Sequence, residues 1–133
     1  MNREIEFKIF ANGKWYAKCL VGNTNNTSDD NWTCPLVWSD KKKEWVHCDN
    51  GVICQYTGLK DRKGTKIFEG YIVKVIGKTF DGKIRELIGE IIYIDCSFAL
   101  KTKEYNFHLY ADLQTNYEVI GNIYENKELL GNA

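Results

Sequence analysis

Cys34, His47, Cys48 and Cys54 bring three thiols and an imidazole together between positions 34 and 54, a donor set that zinc accepts. Their spacing forms no paired knuckle, and on a strand the adjacent His47 and Cys48 would point to opposite faces. Reduced, mostly buried thiols explain them more simply, so neither a metal nor a cofactor is expected. The five cysteines (Cys19, Cys34, Cys48, Cys54, Cys96) are odd in number and include no Cys-x-x-Cys pair, which also speaks against a disulfide framework. A cysteine nucleophile would need a base at a recognisable spacing, and none is present. Glu86 with Glu90, or Asp61 with Glu69, could divide acid–base work. Acids placed beside turns and lysines read instead as solvated surface. Catalysis is therefore not the expectation.

The cationic and aromatic residues carry more. Lys60, Arg62, Lys63 and Lys66 crowd one turn, and Lys41, Lys42 and Lys43 crowd another. Trp15, Tyr16, Trp38, Trp45, Tyr56 and Tyr71 supply aromatic surface. Small barrels bind single-stranded nucleic acid by this combination. However, 18 basic residues balance 18 acidic ones, so no net field favours nucleic acid or an anionic membrane. Tryptophan and tyrosine also dominate protein interfaces, and a chain of this size carries more of them than it can bury. The leading expectation is a protein that works by binding another protein or itself. Its candidate surface is Trp38, Lys42, Trp45, Lys60, Arg62 and Lys63, and nucleic acid is the alternative partner.

Strands must position these residues. The chain of 133 residues is long enough for one core without staples, and its 14% aromatic content favours pleated surfaces. Ile5, Phe7 and Ile9 alternate with charged residues, Asn12-Gly13 marks a hairpin, and residues 14–21 read as the returning strand. Residues 22–31, rich in Asn, Thr, Ser and Asp, read as an exposed loop. Residues 32–38 and 44–48 form a hairpin with the lysines at its tip, and Pro35 should mark a strand start or edge. Strands at 71–76, 87–95, 97–101, 105–109 and 118–124 follow. Gly89 is placed at a bend or bulge, residues 111–115 at a helical turn, and residues 126–130 at a terminal turn capped by Asn126. Many short strands with regular turn signals imply a mainly β sandwich or small barrel with little helix. No segment is apolar enough to span a bilayer and no signal core opens the chain, so a cytoplasmic location is expected. On that basis the sequons at Asn25, Asn26 and Asn31 have no consequence.

Residues 55–74 organise this pattern. The run Gln55-Tyr56-Thr57-Gly58-Leu59-Lys60-Asp61, then Gly64, Ile67-Phe68-Glu69-Gly70 and Ile72-Val73, resembles the signature of the YopX family of bacteriophage and prophage proteins. The tail Glu118-Val119-Ile120-Gly121-Asn122-Ile123-Tyr124-Glu125-Asn126, with Glu128-Leu129-Leu130, resembles that family's C-terminal motif. Arg3-Glu4-Ile5-Glu6-Phe7 is similar to its first strand. Tyr71 departs from the family's usual aspartate, and residues 22–50 match nothing in the pattern. The resemblance implies one domain: an SH3-like core over residues 52–133, preceded by strands and a variable hairpin over 1–51. It also implies a phage or prophage origin and an oligomer. It brings no catalytic residue. A host or phage protein is the implied partner; a small ligand, by analogy with phage biology, and an uncharacterised enzyme stand further back.

Overall fold

A computed structural model describes residues 4–25, 31–48, 50–78, 81–103, 106–109 and 116–131. The described strands are β1 Phe7–Ala11, β2 Lys14–Tyr16, β3 Cys19–Asn25, β4 Asn31–Ser39, β5 Glu44–His47, β6 Val52–Lys60, β7 Lys66–Phe68, β8 Tyr71–Lys78, β9 Ile84–Ile94, β10 Ser97–Lys101, β11 Asn106–His108 and β12 Tyr117–Asn122. One short helix, α1 Glu128–Gly131, follows. Strand pairing is antiparallel throughout, and the chain has the mainly β fold with little helix that its turn pattern implies. The chain forms two compact units, Ile5–Gln55 and Met1–Glu4 with Tyr56–Ala133.

In the first unit, β1 turns into β2 through Asn12 and Gly13, both at positive φ (52° and 76°), as a two-residue hairpin requires. β1 also pairs with β6 from Phe7↔Gln55 to Phe10↔Val52. The stretch 14–21 is two strands, not one. β2 serves β1, and after a bend at Ala17 and Lys18 the chain enters β3, which serves β4. Residues 22–25 of the polar stretch expected as a loop are ladder instead, because β3 and β4 stay in register from Cys19↔Val37 to Asn25↔Asn31.

Pro35 corrects another expectation, since it lies inside β4, the central strand of the β3-β4-β5 sheet. The register explains why. Trp38 N–H donates to the Lys18 carbonyl, so by alternation residue 35 turns its polar backbone away from β3 and towards β5. There its carbonyl accepts from Cys48 N–H (3.0 Å) just past the end of β5. The Cys48 carbonyl, which a ladder would offer to residue 35, accepts from Gly51 N–H instead (3.0 Å). The proline's missing donor therefore leaves no acceptor stranded. Ile9, Ala11 and Val37 form the buried cluster, with Tyr16, Cys19, Val46, Cys48 and Ile53 packed on it.

The second unit is a five-stranded sheet in the order β11-β10-β9-β8-β12, with the later part of β6 paired to β7. Its buried cluster takes Ile67 from β7, Val73 from β8, Ile91 from β9, Leu100 from β10 and Tyr117 from β12. These strands are compatible with an SH3-like small barrel. Gly89 sits in unbroken register opposite Val73 and is neither bend nor bulge. It is glycine because any Cβ there would collide with the Lys101 carbonyl. The register shift of the sheet lies in β12, between Val119 and Gly121. The helical turn expected at 111–115 lies outside the described residues. Among the described residues no helix is long and apolar enough to cross a membrane.

Candidate functional site

Lys60, Arg62 and Lys63 surround the turn from β6 to β7, where the sequence concentrates positive charge. All three are exposed, but the residue between them is not. Asp61 is only 6% exposed, which overturns its reading as solvated surface. Its Oδ1 accepts from Lys63 and Thr65 N–H (both 2.9 Å), and its Oδ2 accepts from Val119 N–H (2.9 Å), next to the irregularity in β12. Burial pushes this carboxyl up. The N–H groups of Val119, Thr65 and Lys63, helped by the Lys63 ammonium, outweigh that and hold it below its ordinary value. Arg62 N–H adds a bond to the Tyr117 carbonyl (2.9 Å). The turn is thus tied to β12 through its backbone. Its cations are partly spent as well: Lys63 reaches Glu118 (3.5 Å) and Lys66 reaches Glu4 (3.1 Å).

Other residues of the two family-like motifs also hold backbone. Gly70 has φ 83°, donates to the Ile91 carbonyl and accepts from Ile123 N–H, and a Cβ on it would meet the Tyr124 ring at 2.9 Å. Buried Asn122 accepts from Tyr124 and Glu125 N–H with its Oδ1 and donates to Glu125 Oε1. Asn126 does not cap α1 with its side chain. Its Oδ1 accepts from Asn122 N–H (3.2 Å), closing a knot on the preceding strand. Tyr71 packs against Phe68 (ring centroids 5.6 Å) and the core cluster, a place a lone aspartate would not fill.

The hairpin of β4 and β5 is built differently. Val37 and Val46 are register partners facing the core, so their neighbours Trp38 and Trp45, also partners, share the opposite face. The two indoles meet edge to face at 5.3 Å. Trp38 is held by its Nε1–H to Asp40 Oδ1 (3.1 Å) and by the Lys18 ammonium 4.1 Å over its ring. Trp45 remains 38% exposed. Beyond it, Lys41, Lys42 and Lys43 are exposed at a turn fixed by Lys43 N–H to the Ser39 carbonyl and Lys42 N–H to Ser39 Oγ. The six candidate residues therefore form two groups, Trp38, Lys42 and Trp45 in one unit and Lys60, Arg62 and Lys63 in the other.

Of the described thiols, three lie in the earlier unit and Cys96 in the later one. Cys54 is buried, Cys19 and Cys48 are half-buried, Cys96 is exposed, and His47 is exposed. The side chain of Cys34 lies outside the described residues. No three described His, Cys, Asp or Glu side chains gather as metal ligands. Burial, and then the charge of Glu6, push the Cys19 thiol up, and it donates to the Phe7 carbonyl (3.3 Å). Ser97 Oγ lies 2.6 Å from His108 Nδ1, a contact that residue spacing did not suggest because it depends on β10–β11 register. It sits on open surface with His108 exposed, whereas nucleophilic chemistry needs a pocket for the reacting group.

Residues 7–131 match the family model described as YopX protein. A comparison with curated proteins finds no match. Among solved structures, protein EF1440 from Enterococcus faecalis is similar at 26% identity and a TM-score of 0.58, covering 97% of this chain and 99% of that one. Protein yopX from Bacillus subtilis is similar in fold at 18% identity and a TM-score of 0.59, covering 93% and 96%.

Proposed function

This chain belongs to the YopX protein family, and from that premise we propose that it is a phage or prophage accessory protein that works by binding rather than by catalysis. Its partner is another protein surface, a second copy of itself included, met in the host cytoplasm. One observation carries the reading. The β4–β5 hairpin satisfies its inner face with Val37 and Val46 and still presents Trp45, braced by Trp38, to solvent. A folded chain gains little from an indole held that way, whereas an interface gains an anchor with few rotamers to lose.

Light scattering on the wild type and Trp45→Ala tests this. A mass well above 15.4 kDa at micromolar concentration, falling towards 15.4 kDa in the variant, is the expected result. A wild type that stays monomeric removes self-association. Nucleic acid is a second reading because Lys41, Lys42 and Lys43 extend from the same hairpin as Trp45. It predicts single-strand binding that falls steeply with added salt and weakens in Lys42→Ala. No shift of DNA or RNA at low salt would eliminate it.

A further inference from the structure

We propose that the face of β9 turned away from the core, where α1 meets it, is a binding site for a small amphipathic anion, a carboxylate or phosphate on an apolar body. This site is independent of the β4–β5 hairpin. Along β9, Gly89 and Ile91 turn to the core side, which places Ile88 and Glu90 on the other. Lys101 is the register partner of Glu90 and shares that face. The absence of a side chain at Gly89 lets the backbone pass close at Lys101. This sets the course of the chain into Lys103. From the other direction, the Asn122–Asn126 knot fixes where the tail turns, and α1 packs on β9 with Leu130 and the preceding Lys127. The result is a cavity of about 390 Å³ lined by these six residues together with Thr102 and Gly131.

The composition of the lining selects the ligand. Ile88 and Leu130 are half-buried and offer an apolar seat. Among the described residues that line it, three are lysines and one, Glu90, is a carboxylate. Elsewhere in this unit Lys63 and Lys74 share Glu118, and Lys66 holds Glu4. Among the described residues, Lys101, Lys103 and Lys127 form no such ion pair. Positive charge concentrated at a concave, partly apolar surface attracts an anion that can bury its body while its head meets the lysines.

Titration of the 15N-labelled protein with phenyl phosphate tests the assignment by NMR. Saturable shifts should be confined to amides around Ile88, Glu90, Lys101 to Lys103 and Lys127 to Gly131. Lys101→Gln and Lys127→Gln should each weaken binding about threefold to tenfold, and benzyl alcohol should bind at least about tenfold more weakly than phenyl phosphate. Glu90→Gln should tighten binding, because it removes a carboxylate that repels the ligand. Equal binding of benzyl alcohol, weaker binding by Glu90→Gln, shifts at Lys41 to Lys43 instead, or no saturable shift would each overturn the proposal.

Discussion

Residues 56–131 and residues 5–55 put the same kinds of side chain to opposite uses. In the later unit the acid at the turn is buried, Tyr71 and Tyr117 are packed, and the motif asparagines bind backbone. In the earlier unit two tryptophans face outward and three successive lysines stand free of the fold's interior. The residues by which the chain resembles its family are thus largely those that hold one unit together. The β4–β5 hairpin, outside those motifs, instead displays Trp45 beside its tip lysines. A motif dense in Gly, Asp and Asn at turns records backbone demands at least as readily as chemistry.

The largest effects should come from the residues that hold backbone. Asp61→Ala strands three N–H groups and should cost roughly 3 kcal/mol, read as faster amide exchange at Val119 and Tyr117. All four tryptophans precede residue 56, so their fluorescence separately follows the unit that lacks Asp61. Gly89→Ala should cost about 2 kcal/mol by forcing β9 and the Lys101 backbone apart. The folded pKa of Asp61 lies below its ordinary 3.8, so its ionised form adds stability that is complete above that value. That stability is lost as the pH falls through the lower folded value. Acid unfolding of the later unit should therefore have a component below about pH 4 that Asp61→Asn removes. At the other end, Trp45→Ala should change stability by less than about 1 kcal/mol, the scale of one exposed aromatic pair, while changing association. Loss of folding in Trp45→Ala with association intact would reverse the assignment.

Much of the strand pattern is legible in the residues. Period-two alternation at Ile5 to Ile9, Asn12-Gly13, and the Lys41 to Lys43 tip each signal their element within a few positions. What is not legible depends on partners far along the chain. The burial of Asp61 requires the Val119 N–H, 58 positions away. Whether Pro35 can sit mid-strand depends on where β5 stops and on Gly51 taking the Cys48 carbonyl. Gly89 looks like a bulge until the Lys101 carbonyl is set beside it. The polar run after Gly22 carries no apolar period, so only its pairing with β4 reveals a strand. Of the candidate site, the tip lysines follow from local sequence. The facing of Trp38 with Trp45 follows from hairpin register, and the separation of the two cationic turns into different units follows from topology.

Amide hydrogen exchange at low and high protein concentration tests the division between holding and binding most directly. Slowed exchange on concentrating the protein should appear at residues 38–46, with residues 61–65 and 117–122 unchanged. Slowing confined to the Asp61 turn and β12, or none anywhere, would contradict it.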